Sequence, residues 1–476
     1  MTMTAAEQYE LELINRARLD PQAEAARYGI SLNDGLAAGT INGEAKQVLA
    51  PNADLEAAAQ GHSEWMLASD VFSHTGAGSS SAGTRIGAEG YAFTGSWGWA
   101  ENLSAVLTTG AIDLEAAIEQ HHSTLFLSAG HRSNTMNGQM REIGIAQVQG
   151  QFVQGGVTYN TAMLTENFAY SGTKVFVTGV VYDDTDADAF YGIGEGMSGI
   201  RITAAGVGDT SEAAGGYSVG VTPSGSVSVS VAQGSATLAT LTMDMSTGNG
   251  KLDLVMGSDN LWRLELSTSA TLVSGVADAT LLGVADLNLT GHSAANQLIG
   301  NGGNNTLSGA GGSDALGGGG GTDMLLGGQQ GDWLDGGAQT DFLLGATGRD
   351  TIAGGEGRDW MSGGGGADVF LFGSTGESSV GWTARDMIFG FERGQDKIDL
   401  SFIDANILTG GNQGFAYIGA SGFSGGGAAS AGQMRSYQST AGNFVLLEMD
   451  TNGDGYADMQ LVVRGVTTLT AGDFIL

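Results

Sequence analysis

The chain contains no cysteine and only three prolines in 476 residues. Without cysteine, disulfides are excluded, so a chain that works outside the cell needs another source of stability. Basic residues are also scarce, since 18 of them face 51 acidic residues and the net charge is −33. Such a charge excludes an ordinary binder of nucleic acid or of anionic membranes. No apolar run approaches the ~18 residues of a transmembrane helix, so no membrane-spanning segment is predicted.

Glycine is abundant instead, with 82 residues. Many of them lie in residues 291–372, where a nine-residue unit repeats: an acid or amide recurs at every ninth position, and a large apolar residue follows it two positions later. The polar positions are Asn296, Asn305, Asp314, Asp323, Asp332, Asp341, Asp350, Asp359 and Asp368. The apolar positions are Leu298, Leu307, Leu316, Leu325, Leu334, Leu343, Ile352, Met361 and Phe370. This is the pattern of calcium-binding parallel β-helix repeats.

The physics of the unit explains its residue types. The apolar residue points inward from a very short strand, so stacked turns build a thin core. Calcium prefers about six to eight oxygen ligands, which two stacked loops can supply from carboxylates and carbonyls. Without the ion, stacked carboxylates repel one another and so thin a core does not offset chain entropy. The alternative is a flexible Gly-rich linker. A linker, however, does not require a polar residue and an apolar residue to recur at every ninth position.

We therefore expect calcium at Asn305 and at the seven aspartates from Asp314 to Asp368. The copies are not uniform. Asn replaces Asp in the first two, and Gln330 and Gln339 replace the glycine two positions before the acid. We expect those copies to bind weakly or to act as caps.

Two further loops have the acid spacing of an EF-hand. In the first, the candidate calcium ligands are Asp184, Asp186, Asp188 and Glu195. In the second, they are Asp450, Asn452, Asp454 and Asp458. The first loop lacks the glycine usual in its middle, and the second lacks the acid usual at its end. A solvated acidic turn is the alternative for the first loop.

The N-terminal third combines helices with a small antiparallel sheet. Capping and apolar periodicity predict helices that begin near Thr4, Asn52 and Asp113. Strand-like runs follow at residues 142–149 and 161–170, separated by turn-prone glycines.

Three spaced motifs in this segment resemble the motifs of a known protein family. They are Phe72-Ser73-His74-Thr75-Gly76, Ala100-Glu101-Asn102-Leu103 and Ser128-Ala129-Gly130-His131-Arg132. In this order they resemble a bacterial domain of the CAP superfamily, which groups cysteine-rich secretory proteins, antigen 5 and pathogenesis-related proteins. The resemblance implies an α-β-α sandwich whose cavity commonly holds two His and two Glu. His74, Glu101 and His131 fall on matching positions, whereas the second Glu has no counterpart at residues 126–128.

Two imidazoles and a carboxylate can hold zinc and leave a position open for water. The alternative is that His74, Glu101 and His131 are hydrogen-bonded supports for irregular loops, and no firm catalytic residue is assigned. His62 and His121 lie on apolar helix stripes and are expected in the core. The chain has neither an H-E-x-x-H nor a G-x-S-x-G motif, so these two routes to hydrolysis are excluded. An enzyme is the less favoured interpretation.

The rest of the chain is predicted to be β structure. Short alternating runs with Gly/Ser turns at residues 172–290 predict an all-β sandwich, similar to B-type adhesin modules and carboxypeptidase regulatory-like domains. Residues 373–476 resemble the C-terminal region of serralysin-type RTX proteins. The expected fold is therefore multidomain: an α/β CAP domain at 1–171, the sandwich at 172–290, a parallel β-roll at 291–372 and the serralysin-like region at 373–476.

The two ends of the sequence were compared with the known signals for protein export. The first residues lack a basic region followed by an apolar run, so no cleavable signal peptide is predicted. The last five residues, an acid followed by three apolar side chains after Gly472, resemble an uncleaved signal for type I secretion. We expect a secreted, extracellular protein of a Gram-negative bacterium, cell-surface associated in one interpretation, that passes the type I secretion machinery unfolded and folds on calcium outside.

The resemblance to CAP proteins implies an extracellular ligand for the N-terminal domain: a lipid, a sterol or a component of the cell envelope. Two alternatives stay open. One is a CAP-domain hydrolase or protease. The other is a surface adhesin or matrix protein that acts through residues 172–476.

Overall fold

The computed structural model describes residues 3–439 and 443–476. The chain divides into two compact units: residues 1–270 with 282–285, and residues 271–281 with 286–476. The first unit holds six α-helices, and the second consists almost wholly of short strands. No helix in the described part of the chain is long and apolar enough to cross a membrane.

Six α-helices lie in the first half of the first unit. They are α1 Ala5–Leu19, α2 Pro21–Arg27, α3 Ala53–Ser69, α4 Ala82–Ala88, α5 Leu114–Leu127 and α6 Ala129–Thr135. The predicted starts of three of them are confirmed. Thr4 and Glu7 form the capping box of α1, while Asn52 and Asp113 accept backbone N–H groups at the N-termini of α3 and α5. The short helices α2, α4 and α6 were not predicted.

A four-stranded sheet packs against these helices in the order β1-β3-β4-β2. Its strands are β1 Ala50–Pro51, β2 Trp97–Thr108, β3 Glu142–Gln154 and β4 Val157–Ser171. The β3–β4 and β4–β2 pairs are antiparallel, as the sequence predicted for the two runs that became β3 and β4. One core cluster joins α1, α5 and this sheet through Leu11, Leu125, Ile143 and Phe168.

Eight strands complete the first unit. They are β5 Val175–Asp183, β6 Ile200–Ala204, β7 Val207–Thr210, β8 Gly216–Val221, β9 Ser226–Gln233, β10 Ala236–Asp244, β11 Gly250–Met256 and β12 Trp262–Leu266. Within this unit they form two sets of neighbours, β10-β9-β6-β7 and β12-β11-β5-β8. Burial alternates along β8 and β9, as expected for strands with one face on a core. A shared cluster, including Leu13, Ile118, Val180 and Val255, packs α1 and α5 on β5 and β11.

The second unit begins with short parallel strands. They are β13 Ala270–Gly275, β14 Asp278–Leu281, β15 Asn288–Thr290, β16 Gln297–Ile299, β17 Thr306–Gly311, β18 Ala315–Gly317, β19 Met324–Gln329, β20 Trp333–Asp335, β21 Ala338–Gln339, β22 Phe342–Gly348, β23 Thr351–Ala353, β24 Glu356–Gly357, β25 Trp360–Gly366 and β26 Val369–Leu371. Residues 297–371 are called the roll below. Consecutive repeat units alternate between two sheets, so parallel partners are 18 residues apart, as in Leu298 with Leu316 and Leu307 with Leu325.

The predicted apolar positions form the core of the roll. The nine residues from Leu298 to Phe370 are all 0–2 % exposed. Their immediate neighbours in the strands point the other way: Met324 is 45 % and Trp333 is 47 % exposed. The period-2 pattern of each short strand therefore places one side chain per unit between the two sheets.

The last hundred residues continue both sheets and add an antiparallel meander. The strands are β27 Asp386–Phe389, β28 Lys397–Asp399, β29 Ala416–Tyr417, β30 Gln433–Gln438, β31 Phe444–Asp450, β32 Met459–Arg464 and β33 Phe474–Ile475. Strand β27 pairs in parallel with β25, and β28 pairs in parallel with β26. The pairs β30–β31 and β31–β32 are antiparallel.

Candidate functional site

The aspartates of the roll are joined from turn to turn. In each, Oδ1 accepts the backbone N–H of the polar residue one turn earlier: Asp341 accepts from Asp323 at 2.7 Å, and Asp359 accepts from Asp341 at 2.9 Å. The same bond recurs from the Asn296–Asp314 pair to the Asp350–Asp368 pair at 2.7–3.0 Å. This bond fixes the orientation of every carboxylate, so that Oδ2 faces the loop.

The second carboxylate oxygen has no such bond. Eight aspartates each have a buried Oδ2 without a hydrogen-bond partner among the described residues: Asp314, Asp323, Asp332, Asp341, Asp350, Asp359, Asp368 and Asp386. They are called the aspartate ladder below, and all are at most 4 % exposed. Because a buried polar atom without a partner is costly, eight of them in one register indicate a ligand of positive charge.

Glycines leave room for that ligand. A Cβ on Gly309 would lie 2.2 Å from Asp314 Oδ2 and 2.7 Å from the carbonyl oxygen of Gly327. A Cβ on Gly363 would lie 2.1 Å from Asp368 Oδ2. Carboxylate and carbonyl oxygens thus converge on positions where any side chain is excluded. Such an all-oxygen donor set suits a hard divalent cation, and its irregular loop geometry suits calcium better than magnesium.

Burial shapes the electrostatics of the ladder. It raises the pKa of Asp359 to about 7, that of Asp341 to about 8 and that of Asp386 to about 9. Neighbouring carboxylates add to the effect, since Asp359 and Asp323 both raise the pKa of Asp341. Burial therefore disfavours the charged form of these carboxylates in the metal-free ladder, and a bound cation offsets that cost.

The non-uniform copies behave in two ways. Gln330 and Gln339 adopt the left-handed backbone of the glycines they replace, with φ of 73° and 81°, so the register runs through them without a break. Asn305 is different, because its side-chain amide donates to the carbonyl of Leu287 at 3.1 Å and its Oδ1 accepts from Asn301 N–H at 2.8 Å. The calcium prediction at Asn305 stays a prediction, and its bonds fit the role of a cap.

The nine-residue spacing missed two members of the register. Asp386 accepts the N–H of Asp359 at 2.8 Å, and Asp396 accepts that of Asp368 at 3.0 Å. They follow their partners by 27 and 28 residues because longer loops intervene. Both precede a buried isoleucine by two positions, Ile388 and Ile398, and that local spacing was the signal available in the sequence.

The first EF-hand-like loop forms an acidic cluster. Ligand atoms of Asp184, Asp186 and Asp188 all lie within 4.8 Å of one another, the one such His/Cys/Asp/Glu group found in the described residues. Glu195 faces its own loop, where Oε1 accepts Thr185 N–H at 2.9 Å and Oε2 accepts Gly192 N–H at 2.7 Å. Calcium at these four residues stays a prediction.

The second EF-hand-like loop is closed by its own hydrogen bonds. Asp450 accepts the N–H groups of Gly453 at 2.7 Å and Gly455 at 3.0 Å. Asp458 Oδ1 accepts the side-chain amide of Asn452 at 2.8 Å, and Asp454 accepts Tyr456 N–H at 2.8 Å. The calcium prediction for this loop also stays untested.

In the first unit, His74 and Glu101 meet at the edge of the sheet. His74 Nδ1 lies 2.8 Å from Glu101 Oε1, and Arg85 donates to Glu101 Oε2. Strand β2 carries Glu101, whose side chain is 3 % exposed, while that of His74 is 60 % exposed. Both carboxylate oxygens are thus engaged by cationic or polar groups, and the guanidinium of Arg85 supplies the charge that a metal would otherwise supply. Sequence reasoning missed Arg85, which belongs to no motif.

His131 lies nearby without joining a three-ligand group. The His74 charge contributes to its lowered pKa, after burial as the main cause, and its Nδ1 is buried without a partner among the described residues. His74, Glu101 and His131 do not form a group of three clustered ligand atoms among the described residues, and zinc at these residues stays a prediction. His74, Glu101 and Arg85 form a polar wall at the edge of the sheet.

Exposed aromatic rings flank this wall. Trp97 and Trp99 precede Glu101 on β2 by four and two residues, on one face of the strand, and are 50 % and 39 % exposed. Phe72, two residues before His74, is 48 % exposed. Exposed apolar rings near polar groups are typical of a recognition surface.

The other histidines of the helices are buried. His121 bonds Ser104 Oγ at 2.8 Å, and burial lowers its pKa to about 4. His122 lies between Glu10 and Glu24 at 3.4 and 3.0 Å. Burial alone lowers the pKa of His122, but its two carboxylate partners outweigh this and raise it to about 9. These residues stabilise the helical core and do not line the cleft.

Comparisons with known proteins agree with this architecture. Residues 11–161 match the model of the cysteine-rich secretory protein family, CAP, and residues 299–476 match that of the peptidase M10 serralysin C terminal. No curated protein matches the chain.

Two solved structures are similar in part. One is an extracellular protein containing a SCP domain from Bacillus anthracis str. Ames, at 23 % identity and a TM-score of 0.19 over 26 % of this chain. The chain spans about a third (34 %) of the length of that protein. The other is the AlgE6R3 subunit of the Azotobacter vinelandii mannuronan C5-epimerase, at 22 % identity and a TM-score of 0.22 over 40 % of this chain and 78 % of that one.

The two family matches cover different parts of the chain, and each coincides with the unit that has the corresponding architecture. Helices and an antiparallel sheet occupy the first match, and the roll with its C-terminal strands occupies the second. Together they support an extracellular, RTX-like protein. The chain joins an N-terminal CAP domain to a β-roll with a serralysin-type C-terminal region.

Proposed function

We propose that the aspartate ladder binds several calcium ions and that this binding drives the folding of the roll. The observation that carries the proposal is the row of eight buried Oδ2 atoms without partners. Seven of them, from Asp314 to Asp368, lie within 2.7 Å of a Cβ placed on a glycine of the same loop. For the four from Asp314 to Asp341 a carbonyl oxygen of the next turn also lies within 2.9 Å of that position, so oxygen ligands from two turns are close together. Calcium would be held by the ladder carboxylates and the loop carbonyls, and it supplies the positive charge that the folded roll needs.

The energy involved is large for one domain. A site at a calcium concentration ten times its dissociation constant contributes about 1.4 kcal/mol. Seven such sites would add roughly 10 kcal/mol, an upper bound because neighbouring sites are not independent, and comparable with the whole stability of a domain. In a calcium-poor cytosol that contribution disappears. We infer that the roll stays unfolded inside the cell, passes the type I secretion machinery and folds outside.

The test is calcium binding by the full chain. After gel filtration in calcium, metal analysis should find several ions per chain, and far-UV circular dichroism should lose β signal when EGTA is added. Magnesium at the same concentration should not restore that signal, because it demands near-octahedral geometry. A full β signal in EGTA, with no calcium retained, would contradict the proposal.

For the CAP domain we propose binding of an extracellular ligand with an apolar body, such as a lipid, a sterol or an envelope component. The supporting observation is the cleft wall of His74 and Glu101 beside the exposed Trp97 and Trp99. Since Arg85 already neutralises Glu101, the site is better suited to recognition than to metal-dependent hydrolysis. Hydrolysis remains the alternative outcome of the same test, and adhesion through the second unit is a further one.

Wild type and the His74→Ala/His131→Ala double variant of the full chain would be incubated with a bacterial envelope and lipid extract, and retained molecules would be identified by mass spectrometry. A Trp97→Ala/Trp99→Ala variant should also lose the ligand. Trp333→Ala removes a tryptophan of the roll that is 47 % exposed and serves as the matched control.

A species retained by wild type and the control alone supports the binding cleft. A molecule that wild type alters chemically would favour the hydrolase. Identical profiles for all variants would assign the histidines a structural role.

A further inference from the structure

A cavity of about 260 Å³ lies within the first unit. Helix α1 forms one wall with Glu12 and Arg16, and strands β5 and β11 form another with Tyr182 and Lys251. Most of its surface is apolar, contributed by residues such as Leu19, Val180 and Leu282. None of its lining residues belongs to the His74–Glu101 wall or to the aspartate ladder.

The charges around this cavity do not balance. Lys251 Nζ lies 2.9 Å from Glu12 Oε2 and also donates to Asp253 Oδ2. Glu265 lines the same space, and burial raises its pKa to about 7 although the charge of Lys251 lowers it, so Glu265 is largely ionised at pH 8. One lysine therefore faces three carboxylates. Arg16, the other cation in the wall, forms its ion pair with Glu24 at 3.0 Å.

A second observation points to a ligand. Tyr191 lines the cavity, is 2 % exposed, and its phenolic oxygen has no hydrogen-bond partner among the described residues. Its ring meets that of Tyr182 edge to face at 5.9 Å between centroids, and Phe190 adds a third ring to the lining. Buried tyrosines usually bond through their hydroxyl, so an unpartnered one in a cavity indicates a missing polar group.

We propose that this cavity binds a small organic ammonium ion with an apolar body. The ammonium group would neutralise the carboxylate excess at Glu265 and Glu12, and aromatic faces attract such cations. The apolar lining buries the rest of the molecule. A calcium ion fits less well, because it requires about six to eight oxygens and this lining is largely hydrocarbon. The volume lies below the ~300–1,000 Å³ of drug-sized sites, so the ligand is small.

Benzylamine and benzyl alcohol form a matched pair of probes, since they share a body and differ in charge. Their binding to the calcium-saturated full chain would be measured by isothermal titration calorimetry at pH 8. Glu265→Gln removes the unmatched charge at constant shape. Ala23→Trp places a large ring at the exposed rim of the cavity, where it should block entry without disturbing the core. Glu89→Gln, at an exposed helix end, is the control.

Benzylamine should bind at one site, with benzyl alcohol at least about tenfold weaker. Glu265→Gln should weaken the amine by about tenfold, Ala23→Trp should abolish its binding, and Glu89→Gln should leave it unchanged. Circular dichroism and thermal melting verify that each variant folds, and if Glu265→Gln does not, Ala23→Trp decides alone. Absence of amine binding, equal binding of both probes, or amine binding unaffected by the two cavity variants would overturn the proposal.

Discussion

Replacement of Asp341 by asparagine separates the metal-binding role of the aspartate ladder from its structural role. Asparagine has the same shape, and its carbonyl oxygen can still accept the N–H of Asp323 that Asp341 Oδ1 accepts at 2.7 Å. The substitution exchanges the unpartnered Oδ2 for the NH2 group of the amide, which carries no charge and cannot ligate calcium. The effect on stability should therefore depend on whether calcium is present.

With calcium at ten times its dissociation constant, the variant should lose the contribution of one site, about 1.4 kcal/mol. For a unit of this size, that loss corresponds to roughly 3–6 °C in melting temperature. In EGTA the sign differs, because the wild-type roll must either bury the charge of Asp341 or protonate it, and asparagine does neither. Burial raises the pKa of Asp341 to about 8, so in EGTA the variant should keep at least as much β signal as the wild type.

Differential scanning calorimetry of the full chain resolves the calcium-dependent transition from that of the first unit. Glu356→Gln is the matched control, since it also converts a carboxylate of the roll to an amide, but an exposed one. It should change stability in calcium by less than about 0.5 kcal/mol and leave the β signal in EGTA unchanged. A lower melting temperature of Asp341→Asn in calcium together with a smaller β signal than wild type in EGTA would refute the reasoning and assign Asp341 a purely structural role.

Three further predictions concern the same structure. Burial raises the pKa of Asp341 to about 8 and of Asp359 to about 7, above the unfolded value of about 3.9, so the metal-free roll should lose stability as pH rises from about 4 to 8. Far-UV circular dichroism in EGTA at pH 5 and pH 8 tests the sign: the roll should show more β signal at pH 5, and more at pH 8 would contradict it. In calcium, Leu325→Ala should lower the free energy of unfolding by about 2–5 kcal/mol, whereas Met324→Ala, on the exposed face of the same strand, should lower it little. Urea unfolding measures both, and equal losses would show that the core does not lie on one face of the strand. Arg85→Gln leaves a buried carboxylate without its guanidinium and should destabilise the first unit by about 3–5 kcal/mol; an unchanged melting temperature would show that this ion pair contributes nothing.

Local patterns carried the most information in this sequence. The nine-residue register predicted which side chains are buried in the roll, because each short strand alternates strictly and every turn repeats the last. The starts of α1, α3 and α5 followed from capping residues, whose hydrogen bonds reach only two or three positions along the chain. The CAP motifs contain His74 and Glu101, whose side chains are in contact in the structure.

Features that depend on the packing of distant segments were not predictable. Arg85 contacts Glu101 only because α4 packs near β2. No sequence spacing between the two residues predicts this contact. Asp386 joins the aspartate ladder across a 27-residue interval, which breaks the periodicity that identified the other members. The cavity brings Glu12 together with Lys251, two residues separated by more than half of the chain.

The most direct test of the central claim is hydrogen–deuterium exchange of the full chain, followed by mass spectrometry with calcium and with EGTA. The account predicts strong protection of peptides from residues 297–371 in calcium and its loss in EGTA, while peptides from α1 and α5 exchange equally in both. Equal protection of the roll in EGTA would contradict the account, because the thin core would then be stable without calcium.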